Sequence, residues 1–240
     1  IINNSGNIII ASHYITSQSH PEIGACIFEL TQNGDTVKSK YYDDFPSNCV
    51  YDIIEDTLSS SYKLFSFASL LKMDTFINNI DNDFNIINNV YLYRNIEDQN
   101  SAKWISDNTY LLTGKHYNNT YKRFEQGILK LNRQDSIIGA KYFVKPDTTG
   151  WPGVINNLDF ISKKNIFYAG FLCLTGFPNY FSNSPTWIDL KSLDTNLNLN
   201  WQKYYGGDAC YILRSILATQ DSGFVMGCSR YDYLAQREYL

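Results

Sequence analysis

The residues with the chemistry for a site fall into a few groups. His13 in ASHY and His116 in GKHY occupy equivalent places in similar segments, and two imidazoles in matching loops are the raw material of a metal or acid–base centre. They stand two repeat units apart, in the repeat set out below, with no matching carboxylate pattern between them, which favours solvated loop histidines. Asp81-Asn82-Asp83 and Asp194-Thr195-Asn196 resemble fragments of a calcium loop but lack its Gly and distal Glu. Both sit where a hairpin turn is expected, and turns select Asn and Asp for local hydrogen bonds. Glu22, Glu55, Asp56 and Glu97 are acids of the kind that pair for glycoside hydrolysis, although chain spacing does not test their pairing. There is no GxSxG, HExxH or P-loop, so the sequence assigns no catalytic residue, no metal ligand and no cofactor.

Aromatic loops are the stronger candidates for binding. LTGFPNYFSNSPTW, 174 to 187, sets Phe177, Tyr180 and Phe181 among Gly, Pro, Asn and Ser, and Gly150-Trp151-Pro152-Gly153 reads as an inter-unit loop carrying a Trp. Exposed aromatics on a rigid scaffold bind sugars or protein partners. The competing reading has them fold back over their own sheet. Trp151, Phe177, Tyr180 and Phe181 are therefore the candidate ligand-binding residues.

The chain around these residues is 240 residues long, 44% hydrophobic and 15% aromatic, which supports a sizeable packed core. A formal net charge of −4, with no run of Lys or Arg, argues against nucleic acid or an anionic membrane as partner. No stretch approaches the roughly 20 apolar residues of a membrane-spanning helix. Five scattered cysteines, Cys26, Cys49, Cys173, Cys210 and Cys228, form neither a CxxC pair nor a dense disulfide framework. Cys173 and Cys228 lie close to equivalent register in consecutive repeat units, and a bridge between them would be decided by geometry.

What must position the loops is a repeat. LTQNGDTVKSKYY from Leu30, IDNDFNIINNVYL from Ile80, LNRQDSIIGAKYF from Leu131 and LDTNLNLNWQKYY from Leu193 align without a gap. Each has an apolar residue, a polar turn, a β-prone run and an aromatic next to last. Between them recur NIIIAS, YKLFSF, YLLTGK, IFYAGF and GFVMGC, so each unit carries about four short strands. Asn33-Gly34 fits a two-residue hairpin turn, in which both central residues take positive φ. Apolar runs end in Asn, Asp, Gly or Ser before helical periodicity develops. The adjacent tyrosines of WQKYYGG put apolar bulk on both faces of a closing strand, as expected of a sheet sandwiched between two others.

At this level of detail the chain resembles a known family. ATQDSGFVMGCS at 218 to 229, with LNLNWQKYYGG at 197 to 207, is similar to the repeat of secreted bacterial β-propellers. Their units run roughly Thr-x-Asp-x-Gly-(Phe/Tyr) through two apolar residues to Gly-Ser, and later Trp-x-Lys-x-(Tyr/Phe)-Gly-Gly. The signature is clean from about 188 to 230, whereas the unit near 62 to 92 has lost the matching Lys, Gly and Trp. The resemblance implies a propeller, often part of a large exported protein of the Bacteroidota with a type IX sorting domain, and implies no catalytic residues.

The expectation is thus an all-β chain, a β-propeller of about four to five four-stranded antiparallel blades cut from a longer protein. Repeat units should cover 1–45, 46–95, 96–145, 146–207 and 208–240. The expected role is a non-enzymatic structural or interaction module, extracellular or on the cell surface, with a protein or glycan partner. It involves no nucleic acid, no membrane insertion and no cofactor. The alternative is a carbohydrate-binding or glycoside-processing propeller.

Overall fold

A computed structural model describes the chain apart from residues 16–22, 43–48, 69–73, 93–94, 144–147, 153–155, 163–164, 174–184, 233–234, 236 and 240. The described residues form strands and no helix. β1 (Ile8–Ile15), β2 (Ile23–Leu30) and β3 (Thr36–Tyr42) make a first antiparallel sheet in that order. β4 (Cys49–Asp56), β5 (Ser61–Ala68), β6 (Asp74–Ile80) and β7 (Ile86–Leu92) make a second. β8 (Glu97–Ser106), β9 (Thr109–Asn118), β10 (Arg123–Asn132) and β11 (Ile137–Phe143) make a third. In the fourth, the first strand is broken into β12 (Thr149–Pro152) and β13 (Leu158–Asp159). Both pieces pair with β14 (Ile166–Cys173), which is followed by β15 (Thr186–Leu193) and β16 (Leu199–Gly206). β17 (Cys210–Ala218), β18 (Phe224–Asp232) and β19 (Arg237–Tyr239) form the fifth. Successive antiparallel meanders of this kind are the blades of a β-propeller, and the architecture is all-β. The chain divides into two compact units, Ile1–Ala102 and Lys103–Leu240, each taken by itself below.

The hairpins that lead into the last strand of each of the first four sheets share one register. Leu30 faces Thr36, Ile80 faces Ile86, Leu131 faces Ile137 and Leu193 faces Leu199, each beside a one-residue irregularity in the ladder. The turn is also the same. Its first residue, Thr31, Asp81, Asn132 or Asp194, accepts a backbone N–H from the fourth position and donates its own N–H to the fifth. The side chain of that first residue accepts a further N–H from the fifth position, as in Asn85 to Asp81 Oδ1 at 2.7 Å and Asn198 to Asp194 Oδ1 at 2.8 Å. The acids at 81 and 194 are therefore turn residues, whose carboxyl groups are held low first by the side-chain amides of Asn85 and Asn198 and then by these backbone bonds.

This turn corrects the expectation for Asn33-Gly34. Of the two residues only Gly34 takes a positive φ, 89°, so the loop is the three-residue type with one left-handed position. The other hairpins place Phe84 (φ 61°), Asp135 (φ 64°) and Leu197 (φ 63°) there. Such a backbone costs a bulky residue about 1–2 kcal/mol relative to glycine. Burial offsets the cost. Phe84 packs with Tyr42 and Tyr62 of neighbouring strands in one core, and Tyr42 donates its hydroxyl to the Phe84 carbonyl at 2.6 Å. Leu197 packs with Tyr168 and Leu193, with Phe143 at the margin of the same core.

Core and rim separate by strand. β14 is buried along its length and β15 nearly so, covered on both faces. The outermost strands β3, β7 and β16 are mostly exposed. Here the Lys-Tyr-Tyr segments depart from a sandwiched strand: Tyr41, Tyr204 and Tyr205 are 54%, 43% and 41% exposed. Tyr42 is buried because the Phe84 turn covers it. Lys203 lies over the Trp201 ring at 5.5 Å instead of along the tyrosine beyond it. The glycines that end WQKYYGG are fixed by geometry. Gly206 and Gly207 have φ of 104° and 98°, and a Cβ on Gly206 would stand 2.6 Å from the Tyr211 ring.

Candidate functional site

Of the residues proposed from sequence, Phe177, Tyr180 and Phe181 lie outside the described residues. Trp151 does not sit in an inter-unit loop: residues 149 to 152 form β12, where Trp151 pairs with Phe171 of β14. The flanking Gly and Pro read as a loop, but Pro152 stands at the end of an edge strand, where a missing N–H is tolerated. Neither histidine is a loop residue. His13 lies in β1, exposed, and His116 lies in β9, stacked on Tyr142 with ring centroids 4.1 Å apart. His116 faces Glu125 across the ladder, whose carboxyl is pushed up by burial and accepts Asn118 Nδ2 at 2.6 Å. Among the described residues no cluster of three His, Cys, Asp or Glu is placed to hold a metal. All five cysteines are thiols, so Cys173 and Cys228 form no bridge. Among the former acid candidates, Asp56 accepts the Leu58 N–H and caps the β4–β5 turn, while Glu22 lies outside the described residues.

The buried charges brace sheet against sheet. Lys191 on β15 is fully buried and donates to Asp189 Oδ2 at 2.7 Å and to Gln126 Oε1 of β10 at 2.5 Å. Its ammonium lies 4.7 Å from the Phe143 ring and 5.2 Å from the Tyr168 ring. Gln202 of β16 donates to the other Asp189 oxygen at 2.7 Å. Burial pushes the Lys191 ammonium below the usual lysine value, and Asp189 pulls it back up. Asp159 joins Lys103 to the backbone N–H of Ala218. Lys130 donates to the carbonyl of Thr195, the second residue of the next sheet's turn, at 2.9 Å.

In the unit Ile1–Ala102 the same brace opens onto a cavity. Lys38 of β3 donates to the carbonyl of Asn82, again the second residue of the neighbouring turn, and pairs with Glu29 Oε2 of β2 at 3.1 Å. The other Glu29 oxygen accepts Asn3 Nδ2 at 3.1 Å and Asn7 Nδ2 at 2.8 Å. Burial raises the Glu29 carboxyl, but the bonds from Asn7, Lys38 and Asn3 outweigh it and hold the group below its ordinary value. Around them is a polar cavity of about 240 Å³, lined also by Asn4, Ser5, Glu55, Ser60 and Tyr62. Glu55 Oε1 accepts the Asn4 N–H at 3.2 Å, and the buried Tyr62 hydroxyl accepts Asn3 Nδ2 at 3.3 Å. The sequence signal for this site lies at positions that align but do not repeat. The cross-strand pair beside the ladder irregularity is Glu29–Lys38 here, and Asn79–Asn88, Lys130–Gly139 and Ser192–Trp201 elsewhere.

No family model and no curated protein matches the chain. Among solved structures it is similar to a subtype N10 neuraminidase-like protein of A/little yellow-shouldered bat/Guatemala/060/2010. The identity is 8% and the TM-score 0.47, with 97% of this chain and 73% of that one covered. It is also similar to the Pyrococcus horikoshii acylaminoacyl peptidase, at 9% identity and TM-score 0.42, over 86% of this chain and 34% of that one. A third is the lignostilbene dioxygenase of Pseudomonas brassicacearum, at 10% identity and TM-score 0.42, over 81% and 47%. The chain thus spans less than half the length of the last two. Among the described residues no helix is long and apolar enough to cross a membrane.

Proposed function

We propose that the chain is a non-enzymatic interaction module of propeller type, working outside the cell or on its surface as part of an exported protein. The observation that carries this reading is the use of the charged side chains: buried Lys191, Asp189, Glu29 and Asp159, with half-buried Lys38, tie one strand or sheet to the next. A scaffold braced in this way leaves partner contact to other side chains, of which Trp151 on β12 and Phe177, Tyr180 and Phe181 in the 174–187 stretch are the aromatic candidates. The exported setting, with a type IX sorting domain elsewhere in the protein, is supported by the repeat resemblance at 188 to 230. Detection of the chain in the medium or on the cell surface of its native host tests it, and confinement to the cytoplasm would overturn it.

A second reading, a carbohydrate-binding module, is favoured by aromatics set among small polar residues at 174 to 187. Glycan-array binding should fall with Trp151→Ala or Tyr180→Ala. Binding unchanged in both variants removes these aromatic residues from the site.

A further inference from the structure

We propose that the cavity between β2, β3 and the turns at 3–7 and 81–85 is a binding site for one neutral polyhydroxylated ring, the size of a monosaccharide. The size follows from the volume. About 240 Å³ lies below the roughly 300–1,000 Å³ of sites that enclose drug-sized ligands, so the occupant is a single ring.

The chemistry follows from the hydrogen-bonding capacity left over. Tyr62 is 3% exposed, and its hydroxyl oxygen accepts Asn3 Nδ2 while its own proton has no acceptor among the described residues. A buried donor in that state calls for a partner. Lys38 has three N–H donors, two of them engaged by Glu29 and the Asn82 carbonyl. The third has no partner among the described residues and is open to a ligand. Facing these donors is Glu55, whose Oε1 takes the Asn4 N–H and whose Oε2 remains an acceptor. The occupant must therefore accept from Tyr62 and Lys38 and donate to Glu55.

An ammonium donates only and leaves Tyr62 unsatisfied. A carboxylate or phosphate accepts only, and meets the Glu55 charge with no proton to give. A hydroxyl does both, and a ring with adjacent hydroxyls presents both to neighbouring groups. Glu29 adds no further charge to the ligand's surroundings, because Lys38 neutralises it. Ser5, Ser60 and Asn82 supply an exposed polar rim suited to the remaining hydroxyls.

The test is ligand-observed NMR on the full chain with methyl glycosides of glucose, galactose and mannose, and with ethanolamine as the cationic rival. At least one glycoside should show saturation transfer with a dissociation constant of about 1–10 mM, in line with the affinity a ligand of this size draws from a polar site. Tyr62→Phe keeps the ring packed on Phe84 and removes the proton, and should weaken binding about tenfold. Glu55→Gln, at a half-buried position, is the second variant and should weaken it similarly with the urea midpoint unchanged. Trp151→Ala and Tyr180→Ala should leave this binding as it is, which separates the cavity from those aromatic candidates. The proposal is overturned if no glycoside binds, if ethanolamine binds with equal affinity, or if Tyr62→Phe and Glu55→Gln bind like the wild type.

Discussion

Removing the carboxylate of Asp189 isolates Lys191 in the core, and the size of the effect follows from its surroundings. Lys191 has no exposure, one carboxylate, one amide oxygen and two aromatic rings around its ammonium. Asp189→Asn keeps an oxygen for Gln202 and takes away the countercharge, which should cost about 3–5 kcal/mol, the range for breaking a buried pair. Lys191→Met strands the Asp189 carboxylate and should cost a similar amount. Combining the two leaves a neutral side chain between Phe143 and Tyr168 and an amide for Gln202. The double variant should therefore lie within about 1–2 kcal/mol of the wild type, with a coupling energy of several kcal/mol. Urea unfolding followed by tryptophan fluorescence reads the difference. With a slope of about 2 kcal/mol per molar urea, each single variant moves the midpoint down by roughly 1.5–2.5 M and the double variant by less than about 1 M. Single variants costing under about 1 kcal/mol, adding simply in the double, would refute the reasoning, because that is how a solvent-screened pair behaves.

Other predictions follow from the turns, the cavity and the thiols. At the left-handed position of Phe84, glycine should be better tolerated than alanine. Both variants lose the buried ring, at about 3–5 kcal/mol, but only alanine keeps the backbone strain, so Phe84→Gly should melt above Phe84→Ala. Equal melting temperatures would show the turn relaxing out of that conformation. The Glu29 carboxyl is lower in the fold than its ordinary 4.5, so the unfolded state binds the proton first. Its stabilisation is present above about pH 4.5 and lost as pH falls below it; Glu29→Gln should flatten the urea midpoint between pH 5 and 3, and an unchanged slope counts against the bonds drawn to Glu29. Cys26 and Cys210 are buried thiols raised by burial, and iodoacetamide should label them in urea far faster than in the native protein. Equal rates, measured by mass spectrometry, would place them at the surface.

The hairpins were legible because their signal is local. An apolar residue, an Asx or Thr that caps the turn and a β-prone run sit within thirteen residues, and the gap-free alignment matches the shared register of Leu30, Ile80, Leu131 and Leu193. Phe84 and Leu197 at positive φ were not legible. Turn rules reserve that place for Gly or Asn, and what overrides them is a core contributed by strands distant in sequence. The exposure of Tyr204 and Tyr205 was missed for a related reason: alternation along a strand tells which residues share a face, not what covers that face. The cavity was hidden because Asn3, Glu29, Lys38, Glu55 and Tyr62 come from five separate stretches. The available hint was Glu29 interrupting the apolar run of CIFEL.

The left-handed residue of a turn has a bearing on whether one hairpin can stand in for another. Phe84 packs with Tyr62 of its own sheet and Tyr42 of the one before, and Leu197 with Tyr168 of its own sheet and, at the margin, Phe143 of the one before, so the residue at that position answers to strands beyond the hairpin that carries it. A hairpin moved to another sheet keeps its turn, but beside different strands it carries the wrong plug. Exchange of hairpins between positions should therefore succeed only when the socket residues travel with them.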